Sequence, residues 1–157
     1  MSENDVKAIA IFFFFALLDD GKAVEAATEA VENCRRLRSK NPAVRQGAAV
    51  VMATFQVWKK VSKRMTRGRP NYSVDSGWLL PKTVDMGAWK EFQKSAQEDE
   101  FLGLIWSFLL KLPDEDISSG LGISVGTLRY RVGRALRKLG ALTSGNLVKS
   151  PLGVIKQ

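Results

Sequence analysis

Basic and hydroxyl-bearing side chains concentrate near the C-terminal end of the sequence, where seven bases and no acid occur between residues 117 and 157. Guanidinium and ammonium groups bind phosphates, and arginine, serine and threonine side chains also hydrogen-bond to the edges of bases. This group of side chains therefore favours noncovalent binding of a polyanion, and nucleic acid is the first partner to consider.

These side chains share a predicted helix over Val125–Leu139. At 100° per residue, one side of this helix is an apolar stripe, made of Val125, Leu128, Val132, Ala135, Leu136 and Leu139. The opposite side holds Thr127, Tyr130, Arg134 and Arg137, and the flanks hold Arg129, Arg131 and Lys138. An α-helix fits the major groove of DNA, with its early residues at base edges and its flanking cations at phosphates.

The residues before this helix predict a second, shorter helix and a tight turn. Pro113 suits the first turn of a helix, and the acids of residues 114–116 then lie at the positive end of the helix dipole. Gly122 can end the short helix in the left-handed conformation, and Ser124 is a good N-cap for the next helix. Together the two elements predict a helix-turn-helix.

The segment Leu112–Leu139 resembles region 4 of bacterial RNA polymerase sigma factors. The family pattern contains Gly-Ile-Ser-x-Gly-Thr followed by Arg-Ala-x-x-Lys-Leu, which this sequence matches at residues 122–127 and 134–139. The resemblance implies a module that reads the −35 promoter element and packs against the polymerase flap. It also implies a DNA-facing set, composed of Ser124, Thr127, Arg129, Tyr130, Arg131 and Arg134.

A weaker resemblance covers Ala53–Lys60, which looks like the end of the sigma region that binds the polymerase clamp. That region normally has an acidic approach, whereas Arg45–Met52 contains no acid. Thr66–Lys82 occupies the place of the aromatic, basic helix that melts the −10 element. The resemblance thus implies a shortened or divergent sigma-like protein that binds promoter DNA, with core RNA polymerase as a candidate second partner.

Catalysis, metal binding and cofactor binding are all disfavoured by the composition. The chain has no histidine and one cysteine, Cys34, so histidine-based catalysis, disulfides and cysteine-rich zinc sites are excluded. The acidic clusters 19–20, 98–100 and 114–116 lie at apparent helix boundaries, without a nucleophile, a metal-ligand pattern or a phosphate loop. We therefore expect a protein that is not an enzyme.

Charge is distributed in blocks along the chain. Residues 1–34 carry a net charge of −5, residues 35–69 carry +11 without an acid, residues 70–116 carry −5 and residues 117–157 carry +7 without an acid. This pattern predicts two separate positive surfaces, one in each half of the chain. The alternative interpretation is that Arg35–Arg69 forms a solvated helix face and a connector.

The hydrophobic periodicity predicts an all-α fold, with helices over residues 5–18, 22–40, 43–65, 85–96 and 99–110 before the helix-turn-helix. We predict an N-terminal helical bundle (1–65), a linker (66–84), a helix-turn-helix domain of the sigma region 4 type (85–142) and a C-terminal tail (143–157). The phenylalanine-rich run Ala8–Leu18 is too short for the roughly 20 residues of a membrane span. It also lacks a basic leader, so we expect a buried helix in a cytoplasmic protein.

Two other functions are compatible with the same residues. A stand-alone repressor or activator, often a dimer, would use the same helix on an operator with half-sites one helical turn apart. A sigma-like module could instead bind an acidic protein through its basic helix. The sequence leaves the target DNA, the direction of regulation and the oligomeric state open.

Overall fold

A computed structural model describes residues 1–64 and 86–149, with side chains described as far as Thr143. Within these ranges the chain forms seven α-helices and one π-helical turn. They are α1 (Glu3–Leu17), α2 (Asp20–Lys40), α3 (Gln46–Ser62), α4 (Gly87–Ser95), α5 (Glu98–Leu104), the π-turn (Ile105–Leu109), α6 (Asp114–Leu121) and α7 (Val125–Lys149). The predicted all-α fold is confirmed. The predicted linker, residues 66–84, lies outside the described residues.

The first two helices begin at side-chain caps that the sequence encodes. Ser2 and Asp5 form a reciprocal capping box at the start of α1, and the Asp19 carboxylate accepts a hydrogen bond from the Lys22 N–H at the start of α2. Between these two helices Leu18 adopts the left-handed conformation, with φ of 53°. The chain thereby reverses direction, and α1 and α2 pack against each other.

The phenylalanine-rich run of α1 lies in the protein core, where Phe12, Phe13 and Phe14 are buried. Phe12 stacks on Trp106 of the π-turn, with ring centroids 5.4 Å apart. Because the run is covered by other parts of the chain, its hydrophobicity is accounted for by core packing. Within the described residues no helix is both long enough and apolar enough to cross a membrane.

Side chains from both halves of the sequence meet in one hydrophobic core. Trp106 is fully buried, and its indole N–H donates to the hydroxyl of Thr54 on α3 at 3.0 Å. Trp89 of α4 donates similarly to the carbonyl of Phe15 on α1 at 2.9 Å. These two indole N–H groups therefore keep hydrogen-bond partners although their rings are buried, and the bonds attach the π-turn to α3 and α4 to α1.

Helices α3 and α6 cross closely because each has a glycine at the contact. A Cβ atom added to Gly120 would lie 2.8 Å from the Cβ of Val51, and one added to Gly47 would overlap the Asp116 side chain. A larger residue at position 120 would displace Val51 and the α3 backbone at Ala48, and one at position 47 would displace the Asp116 side chain. This crossing attaches the short helix α6 to the N-terminal helices.

Candidate nucleic-acid interface

Helices α6 and α7 are joined by a tight turn of the kind that the sequence predicts. Gly122 ends α6 in the left-handed conformation, with φ of 70°, and the N–H of Ile123 donates to the carbonyl of Ser118 at 3.0 Å. Ser124 then caps α7, because its hydroxyl accepts the N–H of Thr127 at 3.0 Å. The Ser124 side chain is thus already engaged in holding the start of α7.

The inner face of α7 is anchored in the core by Leu128, Val132 and Ala135, which are all buried. Leu136, predicted to belong to the same apolar stripe, is 38% exposed. It lies beside a shallow groove between α7 and the π-turn, which Ser107 and Gly133 also line. The remaining stripe positions, Val125 and Leu139, are half-buried at the edges of the contact.

The outer face of α7 leaves three of the predicted residues open to solvent. Thr127 and Arg137 are exposed, and Tyr130 is 63% exposed. The Arg134 guanidinium lies 5.8 Å from the centre of the Tyr130 ring, within the range of a cation–π contact. Helix α7 also extends to Lys149, beyond the predicted end at Leu139 and into the stretch predicted to be a tail.

Two arginines on the flanks of α7 form ion pairs with acids of neighbouring helices. Arg129 Nε lies 3.0 Å from Asp114 Oδ2 at the start of α6, and Arg131 Nε lies 3.1 Å from Asp99 Oδ2 at the start of α5. All four side chains retain substantial solvent exposure. Exposed pairs of this kind contribute only about 0–1 kcal/mol, so a phosphate can compete for either arginine.

Two further bases of α7 share one buried carboxylate, that of Glu100 on α5, which is 1% exposed. Lys138 Nζ donates to Glu100 Oε1 at 2.6 Å, and Arg134 Nε lies 3.0 Å from Oε2 without the alignment of a hydrogen bond. Burial acts to raise the pKa of Glu100. The hydrogen bonds from Lys138 and from the Gln97 N–H, with the charges of Lys138 and Arg134, outweigh this effect and place the pKa below its usual value.

All eight sequence-predicted residues therefore lie on α7 or at its cap, but they divide by their contacts. Ser124 caps the helix, Thr127, Tyr130 and Arg137 face solvent, and four bases are paired with acids. From the sequence, the acids of residues 114–116 are explained by the helix dipole, and those of residues 98–100 are placed only at a helix boundary. The ion pairs between these acids and the bases of α7 could not be predicted from the sequence, because the packing of α5 and α6 against α7 brings the charged groups together.

The structure offers no competing metal site within its described residues, where no group of three or more potential ligands comes together. Cys34 is buried on α2, and burial raises the pKa of its thiol.

Comparison with known protein families, characterised sequences and solved structures finds no match to this chain. The geometry of α6 and α7 and the sequence motif they contain are therefore the features that point to a function.

Proposed function

We propose that this chain is a sigma-like transcription protein that binds promoter DNA by placing α7 in the major groove. The observation that carries the proposal is the two-sided character of α7. Leu128 and Val132 hold one side in the core, while Thr127 and Tyr130 in the first two turns face solvent. A helix entering the major groove contacts base edges with its N-terminal residues, which is where these two side chains lie.

The paired bases of α7 have two different tasks in this proposal. Arg129 and Arg131 exchange their exposed carboxylate partners for DNA phosphates, which costs little because such pairs are weak. Arg134 and Lys138 remain on the buried Glu100 and hold α7 against α5. Arg137 is exposed further along the helix, where it can contact a base or a phosphate.

Binding to core RNA polymerase is the second part of the proposal, and it is supported by the sequence resemblance of residues 53–60. In this segment Gln56, Lys59 and Lys60 are exposed, whereas Ala53 and Val57 are buried. The exposed side chains are the ones available to a protein partner. A pull-down of core polymerase by the intact chain tests this part, and absence of capture leaves a stand-alone DNA-binding regulator.

DNA binding itself is tested by selecting duplexes from a random library, followed by fluorescence anisotropy on the selected site. Thr127→Ala and Tyr130→Ala are each expected to weaken binding by about 1–3 kcal/mol if they contact bases. Lys22→Ala, an exposed base at the start of α2, serves as the matched control and should leave affinity for the site unchanged. If no sequence is enriched at low salt, promoter binding is rejected, and an acidic protein becomes the partner to seek.

A symmetric selected site would distinguish the operator-binding alternative. Two half-sites one helical turn apart would indicate a dimeric repressor or activator, whereas a single asymmetric site is expected for a sigma-like protein.

A further inference from the structure

The corner between α2 and α3, defined as residues 35–46, is a second concentration of positive charge. Arg35, Arg36 and Lys40 are exposed on the last turns of α2, and the corner contains no acid. The Arg38 guanidinium donates to the carbonyls of Pro42 and Val44, which folds the end of α2 onto the start of α3. The backbone that carries these exposed bases is therefore held in a defined turn.

This corner lies directly against the first turn of α6. Gly47 approaches the Asp116 side chain, and Arg45 Nε lies 2.8 Å from Asp116 Oδ1. On the other flank of the same turn, Arg129 of α7 pairs with Asp114. The acidic start of α6 thus lies between two arginines, one from the start of α3 and one from α7.

Both of these arginines keep most of their surface in solvent, since the Arg45 side chain is 66% exposed and that of Arg129 is 69% exposed. In a helix-turn-helix complex the first helix crosses the DNA backbone. The acids of α6 alone would repel that backbone. Arg45 beside Asp116 and Arg129 beside Asp114 offset part of this repulsion, and both guanidinium groups are exposed enough to reach phosphates. A phosphate path can then continue from α7 across α6 to the corner.

We propose that the corner formed by residues 35–46 is a second phosphate-binding surface, which contacts the backbone of the same DNA duplex that α7 reads. The inference rests on the proposed function and adds a prediction to it, namely a footprint that extends beyond the bases read by α7. Contacts to phosphates position a protein on DNA without reading sequence. The corner should therefore increase affinity and salt sensitivity while leaving sequence preference unchanged.

The test compares a corner variant, Arg35→Ala with Arg36→Ala and Lys40→Ala, with a control variant, Lys63→Ala with Arg64→Ala. The control removes exposed bases from the other end of α3. Affinity is measured by anisotropy over a range of NaCl concentrations on two duplexes, one limited to the selected site and one extended on both sides. Circular dichroism and thermal unfolding verify that each variant is folded.

On the extended duplex the corner variant should bind several-fold more weakly at low salt. The slope of the logarithm of its binding constant against the logarithm of the NaCl concentration should be smaller in magnitude by ~0.9 for each phosphate that it no longer neutralises. On the short duplex it should bind like the wild type, and the control variant should resemble the wild type on both. An unchanged slope on the extended duplex, or an equal reduction in the control variant, would overturn the inference while leaving promoter binding intact. Failure of the wild type to bind either duplex would instead reject the proposed function, and this inference with it.

Discussion

Replacing Glu100 by glutamine removes one buried negative charge from the contact between α5 and α7 while keeping the size of the side chain. The wild-type residue is 1% exposed, and its carboxylate is shared by Lys138 and Arg134 at 2.6 and 3.0 Å. Glutamine can still accept the N–H of Gln97 through its amide oxygen, so the capping interaction of α5 is retained. The substitution therefore isolates the charge of the side chain.

The expected decrease in stability follows from the interactions that the substitution removes. A hydrogen bond to a charged group contributes about 1.5–3 kcal/mol, and breaking a fully buried ion pair costs about 3–5 kcal/mol. Here both cations are more than a third exposed and can be rehydrated, which places the decrease at the lower end of these values. We expect Glu100→Gln to lower the free energy of unfolding by about 2 kcal/mol, or Tm by about 4–8 °C for a chain of this size.

Thermal and urea unfolding, followed by circular dichroism at neutral pH, measure this decrease. Glu98→Gln is the matched control, because Glu98 lies in the same first turn of α5 but is exposed. It should change the free energy of unfolding by less than about 0.5 kcal/mol. Equal effects of the two substitutions would refute the structural role assigned to Glu100.

The same pair of proteins has a defined pH dependence. Since the pKa of Glu100 is lowered in the folded protein, its contribution is fully present above the unfolded value of about 4.3 and is lost as pH falls through the lower folded value. The difference in stability between wild type and Glu100→Gln should accordingly be constant above about pH 5.5 and shrink in more acid solution. A difference that grows on acidification would contradict the assigned direction of the shift.

Three further predictions concern other parts of the molecule. Asp114→Asn should raise DNA affinity a few-fold in anisotropy measurements, because it frees Arg129 of α7, whose Nε lies 3.0 Å from Asp114 Oδ2. Unchanged or weaker binding would show that this ion pair does not compete with DNA. Gly120→Ala should lower the free energy of unfolding in urea by about 1–3 kcal/mol, because the added Cβ would overlap Val51. Gly140→Ala is the control, and it should be neutral or stabilising because there is open space around Gly140. Similar effects at the two positions would contradict the close crossing of α3 and α6. Cys34 should react slowly with a thiol reagent in the native protein and rapidly in denaturant, and fast native labelling would contradict its burial.

Local sequence signals predict much of the fold. The apolar periodicity and the turn residues Gly122 and Ser124 place α6, the turn and the start of α7 correctly, because each signal acts within a few residues of its effect. The helices before them are likewise predicted, with ends displaced by a few residues, except that the predicted helix over residues 99–110 is divided into α5 and the π-turn. The burial of the phenylalanine run is also as expected for a stretch too short to span a membrane.

Contacts between distant parts of the sequence were not predictable in the same way. The pairing of Glu100 with Arg134 and Lys138 depends on how α5 packs against α7, and no periodicity encodes that contact. The crossing at Gly47 and Gly120 likewise requires two glycines on separate helices to meet. For the candidate site, the sequence therefore predicts which side chains lie on α7 but not which of them are already neutralised by acids.

The placement of α7 against base pairs is tested by an iron chelate attached to α7 through the substitution Tyr130→Cys. Tyr130 is exposed, and the native Cys34 is buried and should remain unlabelled. The control attaches the same chelate through Lys22→Cys at the start of α2. Because loss of the Tyr130 side chain itself is expected to weaken binding, cleavage is measured at concentrations at which anisotropy shows the selected site to be saturated by each labelled protein. We expect DNA cleavage confined to a few base pairs within the selected site for position 130 and none there for position 22. Scattered cleavage from position 130, or equal cleavage from both positions, would contradict it.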